Sequence, residues 1–296
     1  MMLDAQVLQA PLIDHRGLDL DAARRVTYVI QQSFRYDYDA PVRSLRQRLV
    51  VIPPARHGSQ YRRGHLLEVD GAPARRYLRR DAHGNVVAWV SSGSVERAVE
   101  FRLAAVVERV RGDRPAMLSA AALRNPCLLR STPLTAADDR LRALAGDLGG
   151  PGRTAQETAE RVCAAVHRAI SYRDGVTSVR TTAAEALAGG RGVCQDFAHV
   201  MLALCRLLRV PARYVSGHLL GQGGTHAWVE TLVPKGRGAV AVAFDPCNNR
   251  RAGSDYVTVA TGRDYCDVAP TSGCYIGTAA GRLTADRRVG ILAASG

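Results

Sequence analysis

The hydrophobic pattern of this chain changes its period once, and this change limits the possible folds. Over residues 26–111, short β-branched and aromatic runs are separated by Gly, Pro and Asp. Within them, residues 99–110 alternate apolar and charged side chains, which is the two-residue period of a half-buried strand. From Thr135 onward, apolar residues recur with helical spacing instead. The sequence therefore predicts a β-rich part followed by a part that contains helices.

The two periods also predict the domain organisation. We expect residues 1–112 to form an antiparallel β-sandwich, because short strands separated by turn residues at near-regular spacing are typical of that architecture. Three prolines, Pro115, Pro126 and Pro133, indicate a linker over residues 113–134. In residues 135–296, helices come first and strands follow, an order that predicts an α+β core of helices packed on an antiparallel sheet.

Local signals place the elements of this second domain. A helix is predicted from Thr135 to Leu148, where Gly149 ends it. Thr154 and Glu157 have the spacing of a capping box at the start of the next helix. The other predicted elements are helices over residues 182–187 and 194–208 and strands over residues 212–218, 225–233 and 239–244.

The composition excludes several classes of protein. The chain has a net charge of +13, but its arginines are scattered, Lys235 is its only lysine and aromatic residues make up 5%, so we expect no nucleic-acid partner. The charge could still favour an acidic substrate or partner. No apolar run approaches the roughly 18 residues of a membrane span, and the N-terminus lacks the pattern of a secretion signal. A cytoplasmic location without membrane contact is therefore expected.

The seven cysteines favour free thiols in a reducing compartment. Their number is odd and none forms a C-x-x-C pair, so neither a zinc ribbon nor a thioredoxin-type motif is present. One of them, Cys194, lies at the predicted start of the helix over residues 194–208. The partial positive charge of a helix N-terminus favours a thiolate, and the unpaired amides of the first turn can bind an oxyanion. Cys194 is therefore a candidate nucleophile.

A cysteine nucleophile needs a base, and the base needs a group that orients it. His226 begins a predicted strand after Gly223 and Gly224, and Asp245 ends the next strand. Neighbouring antiparallel strands can place these two side chains together at one edge of the sheet. If the helix of Cys194 packs across that sheet, the three residues form a Cys-His-Asp set.

A metal site is the rival use of these residues, with Cys247 as a fourth ligand. Zinc requires ligands that converge tetrahedrally, usually including one close pair in sequence, and Asp245-x-Cys247 is a poor pair. We therefore expect no metal and no cofactor. Of the other histidines, His199 is predicted to be a solvent-facing helix residue, and His218 a strand residue that could line the cleft.

The local sequences around these residues resemble the core of bacterial transglutaminase-like proteins. The matching segments follow in order: GVCQDFAH at 192–199, PARYVSG at 211–217, HAWVE at 226–230 and FDP at 244–246. Residues 262–270 resemble one bacterial branch whose members are often labelled cysteine proteases and carry a β-rich N-terminal domain. The resemblance implies a papain-like α+β core with a catalytic triad of Cys194, His226 and Asp245.

The implied activity is acyl transfer from an amide or thioester of a peptide, protein or carrier-bound substrate. Water as acceptor makes a peptidase or amidase, an amine makes a transglutaminase or amide synthase, and the sequence does not select between them. A non-catalytic binding module that retains the fold is the alternative. Tyr172, Gln195 and Trp228 are expected to bind substrate or the oxyanion, with Trp228 as a wall of the site.

The sequence departs from the family pattern at one position near the triad. The family usually has Thr-Asn after the Phe-Asp-Pro segment, whereas this chain has Cys247 and Asn248. Cys247 could be inert or could be oxidised against Cys194. The oligomeric state is open.

Overall fold

The computed structural model describes residues 8–112, 117–150 and 152–296. Its first part is built from strands, as the alternating pattern predicts. The strands are β1 (Arg25–Tyr38), β2 (Val42–Ile52), β3 (Arg56–His57), β4 (Gln60–Asp70), β5 (Arg75–Arg80), β6 (Val86–Val95) and β7 (Ala98–Val110). A short 3-10 helix, His15–Gly17, precedes them.

The α-helices of the second part of the chain follow β7. They are α1 (Pro126–Leu129), α2 (Asp139–Leu148), α3 (Ala155–Ala169), α4 (Ala183–Gly189), α5 (Cys194–Leu207) and α6 (Tyr265–Val268), with 3-10 helices at Ala120–Arg124 and Pro133–Thr135. In the described part of the chain, none of the helices combines the length and the apolar composition that a membrane crossing requires.

Capping side chains explain where two of these helices begin. Before α3, Thr154 accepts a hydrogen bond from the Glu157 amide at 3.2 Å, and Glu157 accepts from the Thr154 amide at 2.8 Å, as the capping-box spacing predicts. Helix α2 begins later than the predicted Thr135. There the Asp138 carboxylate accepts from the Leu141 amide at 2.9 Å and starts the helix, whereas Thr135 ends a 3-10 turn.

The remaining strands follow among and after these helices. They are β8 (Leu118–Ser119), β9 (Ser171–Tyr172), β10 (Arg191–Gly192), β11 (Ala212–Leu219), β12 (His226–Lys235), β13 (Gly238–Asp245), β14 (Arg250–Arg251), β15 (Tyr256–Gly262), β16 (Thr271–Ile276) and β17 (Gly281–Ser295).

The second domain is an antiparallel sheet with helix α5 on one face. The strand order is β14-β13-β12-β11-β15, and β8 adds to β13. Strand β12 turns Ala227 and Val229 toward the helix, where they join Phe197 and Met201 of α5 in one buried cluster. Trp228 of the same strand faces the opposite side with Tyr256. The predicted α+β core is confirmed.

The N-terminal strands form the predicted antiparallel sandwich. One sheet has the order β17-β1-β7-β4-β3 and the other has the order β16-β2-β6-β5. Apolar side chains from both sheets, including Phe34, Phe101, Leu45 and Val90, form the buried layer between them. Tyr28 and Ile30 of β1 belong to a second cluster that joins this domain to β15 of the core.

Both ends of the predicted second domain differ in the structure. Strands β16 and β17 pair antiparallel with β2 and β1, so the last strands of the chain complete the N-terminal sheets. Pairing with β17 covers an edge of β1 whose amide and carbonyl groups would otherwise lack partners. The predicted linker contains β8, α1 and short helical turns, and its residues 113–116 lie outside the described residues.

Candidate active site

Cys194 is the first residue of α5, and the chain that leads to it is held firmly. Strand β10 pairs in parallel with β9, which places Gly192 beside Tyr172. The Asp196 carboxylate accepts hydrogen bonds from the Val193 amide and the Thr177 hydroxyl, both at 2.7 Å. A Cβ atom at Gly192 would lie 2.5 Å from that carboxylate, so glycine is needed where the chain enters the helix.

His226 and Asp245 meet at the edge of the core sheet. Strands β12 and β13 are neighbours, and the Nε2–H of His226 donates to Oδ2 of Asp245 at 2.7 Å. The side chain of Cys194 lies close enough to the His226 ring to raise its pKa. Because Nε2 faces Asp245, Nδ1 is the nitrogen left for the thiol. The structure therefore brings together the three residues that the sequence singled out.

Asp245 accepts hydrogen bonds on both carboxylate oxygens and is fully buried. Oδ2 also accepts from the Tyr256 hydroxyl at 2.6 Å and from Nδ2 of Asn248 at 2.7 Å. Oδ1 accepts from the amides of Cys247 at 2.9 Å and Asn248 at 3.1 Å. These contacts hold the carboxylate in place beside His226.

The pair of His226 and Asp245 favours the charged form of both groups. Burial lowers the pKa of His226, but its hydrogen bonds to Asp245 and Cys194 outweigh burial and raise that pKa to about 9. Burial likewise raises the pKa of Asp245, but the hydrogen bond from His226 and those from Tyr256 and Asn248 hold that pKa below its usual value. At neutral pH the site therefore favours an imidazolium next to a carboxylate.

Two aromatic rings support the imidazole. The Trp228 ring stacks near His226 with centroids 6.2 Å apart, and the Tyr256 ring lies 5.9 Å from His226. Trp228 and Tyr256 contact each other edge to face at 5.3 Å. Gly217 lies opposite His226 in β11, and a Cβ atom there would be 2.6 Å from the Trp228 ring. A glycine is required for the indole to occupy this position.

The other two predicted binding residues lie near the thiol. Tyr172 is 56% exposed and donates its hydroxyl to Asp174 at 3.1 Å. Burial of its ring, the hydrogen bond to Asp174 and the proximity of Cys194 raise the pKa of Tyr172 to about 12. Gln195 follows Cys194 in α5 and is buried. A role of Tyr172 or Gln195 in oxyanion or substrate binding stays a prediction.

Cys247 lies beside the triad but is poorly suited to act as a nucleophile. It is half-buried, and its amide donates to Asp245. Burial, together with the nearby Asp245 and Cys194, raises the pKa of its thiol to about 12. The Cys247 thiol is therefore protonated at neutral pH.

The prediction that His199 faces solvent is wrong. His199 is fully buried, its Nε2 accepts from the Tyr265 amide at 3.2 Å, and burial lowers its pKa to about 4. The reason is that residues 263–268, which include α6, pack over the face of α5 that the helical pattern leaves polar. His218 is a strand residue as predicted, but it is buried against Gln32 of the N-terminal domain, with 2.6 Å between Nε2 and the amide nitrogen.

Sequence reasoning missed two residues of the site. Asn248 belongs to the family pattern, but the pattern does not reveal it as a partner of Asp245. Tyr256 lies outside every motif, and only the pairing of β11 with β15 brings its hydroxyl to the carboxylate. In the described part of the chain, no group of three or more His, Cys, Asp and Glu side chains is placed to hold a metal ion.

Two family models match the chain. Residues 142–246 match the transglutaminase-like superfamily, and residues 28–108 match the bacterial transglutaminase-like N-terminal region. The first match contains Cys194, His226 and Asp245. The second match covers most of the N-terminal sandwich.

Two of the similar proteins match most of the chain, and a third matches a part of it. The uncharacterized protein Rv2569c of Mycobacterium tuberculosis is 28% identical over 277 residues, which span 84% of this chain and 83% of that protein. The uncharacterized protein ML0607 of Mycobacterium leprae is 38% identical over 121 residues, or 38% of this chain and 42% of that protein. The crystal structure of a "Putative Cysteine Protease" from Cytophaga hutchinsonii has a TM-score of 0.72 at 21% identity and covers 91% of both chains. This likeness shows that the fold is shared over both domains.

Proposed function

Because the chain belongs to the transglutaminase-like superfamily, we propose that it is a cysteine-dependent acyl-transfer enzyme. Cys194 is the nucleophile, His226 is the general base and Asp245 orients the imidazole. The family match supports a cysteine-dependent enzyme in general. The observation that carries the specific proposal is that the His226 ring contacts both the Cys194 side chain and the Asp245 carboxylate.

The first half of the reaction forms an acyl-enzyme. His226 holds the proton of the Cys194 thiol as an imidazolium, and the thiolate sulfur attacks the carbonyl carbon of an amide or thioester. The developing oxyanion is bound by the Cys194 amide at the start of α5 and by one further donor. The imidazolium then protonates the leaving amine or thiol as the bond to the carbonyl carbon breaks. Asp245 stabilises the imidazolium while it exists.

The second half releases the acyl group. Water or an amine gives up a proton to His226 and attacks the thioester carbon, and the proton then returns to the sulfur as the thioester bond breaks. Attack by water makes the enzyme a peptidase or amidase. Attack by an amine makes it a transglutaminase or amide synthase.

Selective alkylation tests the proposed roles. Iodoacetamide at neutral pH should modify Cys194 much faster than the other six thiols, because the Cys194 side chain lies beside the ring of His226, its proposed base. His226→Ala should slow this reaction sharply, whereas His83→Ala, a histidine of the N-terminal domain, should leave it unchanged. Peptide mapping by mass spectrometry follows each site. Labelling of Cys194 that is no faster than that of the exposed Cys127, Cys266 and Cys274, and that is unaffected by His226→Ala, would favour the non-catalytic binding module.

A donor screen then identifies the reaction. Peptide, isopeptide and acyl-thioester donors are incubated with the protein, each with and without a primary amine. Product that contains the amine indicates transamidation, and free acid alone indicates hydrolysis. Cys194→Ala should abolish both products while the circular dichroism spectrum stays the same, and full activity in that variant would refute the proposal.

A further inference from the structure

A cleft of about 600 Å³ lies between the two domains, away from the catalytic thiol. Its floor is the face of the core sheet opposite to α5, with Trp228, Glu230 and Tyr256 among its lining residues. Its other wall comes from the N-terminal sandwich, through the turns at residues 56–59 and 83–85. This volume lies within the range of roughly 300–1,000 Å³ that small-molecule sites occupy, and domain interfaces are common places for such sites.

The walls of the cleft are held in place by hydrogen bonds between the domains. Gln60 is buried and exchanges two hydrogen bonds with the main chain of Thr258, at 2.7 and 2.9 Å. Asn85 is buried and exchanges two with the main chain of Thr261, at 2.7 and 2.8 Å. In both residues, the side-chain amide donates to a main-chain carbonyl of β15 and accepts from the amide of the same residue, as the main chain of a paired strand does. The cleft is therefore already formed before a ligand binds.

The lining carries an excess of positive charge. Four arginines face one carboxylate, Glu230, which is already engaged by Arg213 at 2.6 Å and by His57 at 2.6 Å. Within the described ranges, the other three arginines (Arg56, Arg80 and Arg109) form no salt bridge. Nε of Arg109 is buried and has no hydrogen-bond partner among the described residues. These guanidinium groups can bind an anion without first releasing a carboxylate.

Part of the floor of the cleft is formed by small apolar side chains. Ala241, Ala243 and Ala252 leave space above the sheet, and the Trp228 ring closes one side. A ligand that fills this space would bury an apolar body against the alanines and the indole. Its charged end would meet the arginines of the rim.

We propose that this cleft binds a small organic anion with an apolar body, of the kind represented by a medium-chain carboxylate. The cleft shares Trp228 and Tyr256 with the candidate active site, because both line the cleft while the Trp228 ring stacks near His226 and the Tyr256 hydroxyl bonds to Asp245. The binding claim does not depend on the proposed acyl transfer.

Tryptophan fluorescence provides a direct test, because the chain has two tryptophans and only Trp228 lines the cleft. The Trp89→Phe variant keeps Trp228 as the single reporter. Octanoate should change its emission saturably, whereas octylammonium, with the same chain and opposite charge, and acetate, with the charge but no chain, should not. Cys194→Ala in the same background should bind octanoate equally well, which separates this proposal from the catalytic one.

Paired charge variants locate the site. Arg56→Gln combined with Arg80→Gln removes two cations of the lining and should weaken octanoate binding about tenfold or more, since hydrogen bonds to charged groups are stronger than those between neutral groups. Arg75→Gln combined with Arg76→Gln removes the same charge from exposed positions outside the cleft and should have no effect. Ala241→Leu should block binding by filling the floor. Equal binding of octanoate and octylammonium, no saturable octanoate signal, or equal affinity in both arginine pairs would overturn the proposal.

Discussion

At the scale of single residues, Asp245 raises the pKa of His226 in the candidate site. Its carboxylate is buried, accepts from the ring of His226 and holds the pKa of that histidine up against the effect of burial. An amide at this position could still form a hydrogen bond, but it would carry no charge to stabilise the imidazolium.

Asp245→Asn is therefore expected to reduce turnover by about 1,000-fold or more. The pKa of His226 should fall from about 9, because the carboxylate raises it in the native protein. A group with a raised pKa keeps its proton until the pH passes that value, so the alkaline loss of activity should move to lower pH in the variant. NMR titration of the His226 ring and the pH profile of turnover measure both shifts. Asp286→Asn, an exposed position on β17, is the control, and an unchanged His226 titration in Asp245→Asn would contradict the assignment.

The hydroxyl of Tyr256 acts on the site through Asp245, to which it donates at 2.6 Å. Tyr256→Phe keeps the ring packing against Trp228 and removes this donor. We expect turnover to fall about tenfold, equivalent to about 1.4 kcal/mol, with KM nearly unchanged. The carboxylate should become a stronger partner for the imidazolium, so the pKa of His226 should rise. Steady-state rates and the NMR titration check this, and exposed Tyr77→Phe should show neither effect. A fall in the pKa of His226 would contradict this positioning role.

At the scale of elements, the sequence predicted most helices and strands because their signals are local. The capping box before α3 and the apolar stripe of α5 depend only on residues within one or two turns. The pattern failed for His199, since burial of a polar helix position depends on a distant segment, residues 263–268, that packs over it. Strand pairing likewise depends on residues far apart in the chain, which is why Tyr256 was missed.

Gly217 shows how a strand position is constrained by its neighbours. A Cβ atom there would lie 2.1 Å from the carbonyl oxygen of Val257 and 2.6 Å from the Trp228 ring. Gly217→Ala should therefore destabilise the protein by about 1–3 kcal/mol, as overpacking usually does, and lower Tm. Gly224→Ala is the control, because a Cβ atom at Gly224 meets nothing within 4 Å. Thermal unfolding followed by circular dichroism measures both variants. Equal Tm values would show that the neighbouring strands move to accept the methyl group without loss of stability.

At the scale of the whole molecule, the two domains are joined by a hydrogen bond to a buried carboxylate as well as by apolar contacts. Glu230 of the core accepts from Arg213 beside it and from His57 of the N-terminal sandwich, each at about 2.6 Å. Burial raises the pKa of Glu230, but His57 and Arg213 outweigh it and hold that pKa well below 4.5. The carboxylate is therefore charged in the folded protein over the ordinary pH range.

Glu230→Gln should lower the free energy of unfolding by about 2–3 kcal/mol at pH 7, because it leaves Arg213 and His57 without a charged partner. A carboxyl group with a lowered pKa stabilises the fold above its unfolded-state pKa, near 4.5, and loses that contribution as the pH falls toward its folded-state value. The difference between the native protein and the variant should therefore shrink below about pH 4.5. Urea denaturation at pH 7 and pH 4 measures it. Exposed Glu68→Gln should change stability little, and a difference that grew on acidification would contradict the sign.

Several predictions about the whole molecule remain predictions. They are the cytoplasmic location, the absence of nucleic-acid and membrane partners, and the acyl substrate. Each depends on surfaces and partners outside one chain, and the sequence supplies only net charge and composition for them.

The sequence by itself determined the β-rich first part, the α+β order of the second and the candidates Cys194, His226 and Asp245, because periodicity, caps and short motifs are local properties. Only the tertiary structure decided that β16 and β17 complete the N-terminal sheets, that Tyr256 and Asn248 hold Asp245, and that a cationic cleft lies between the domains. These features arise when segments far apart in sequence come into contact. Their energies depend on distance and burial in the folded chain, which no local pattern of residues records.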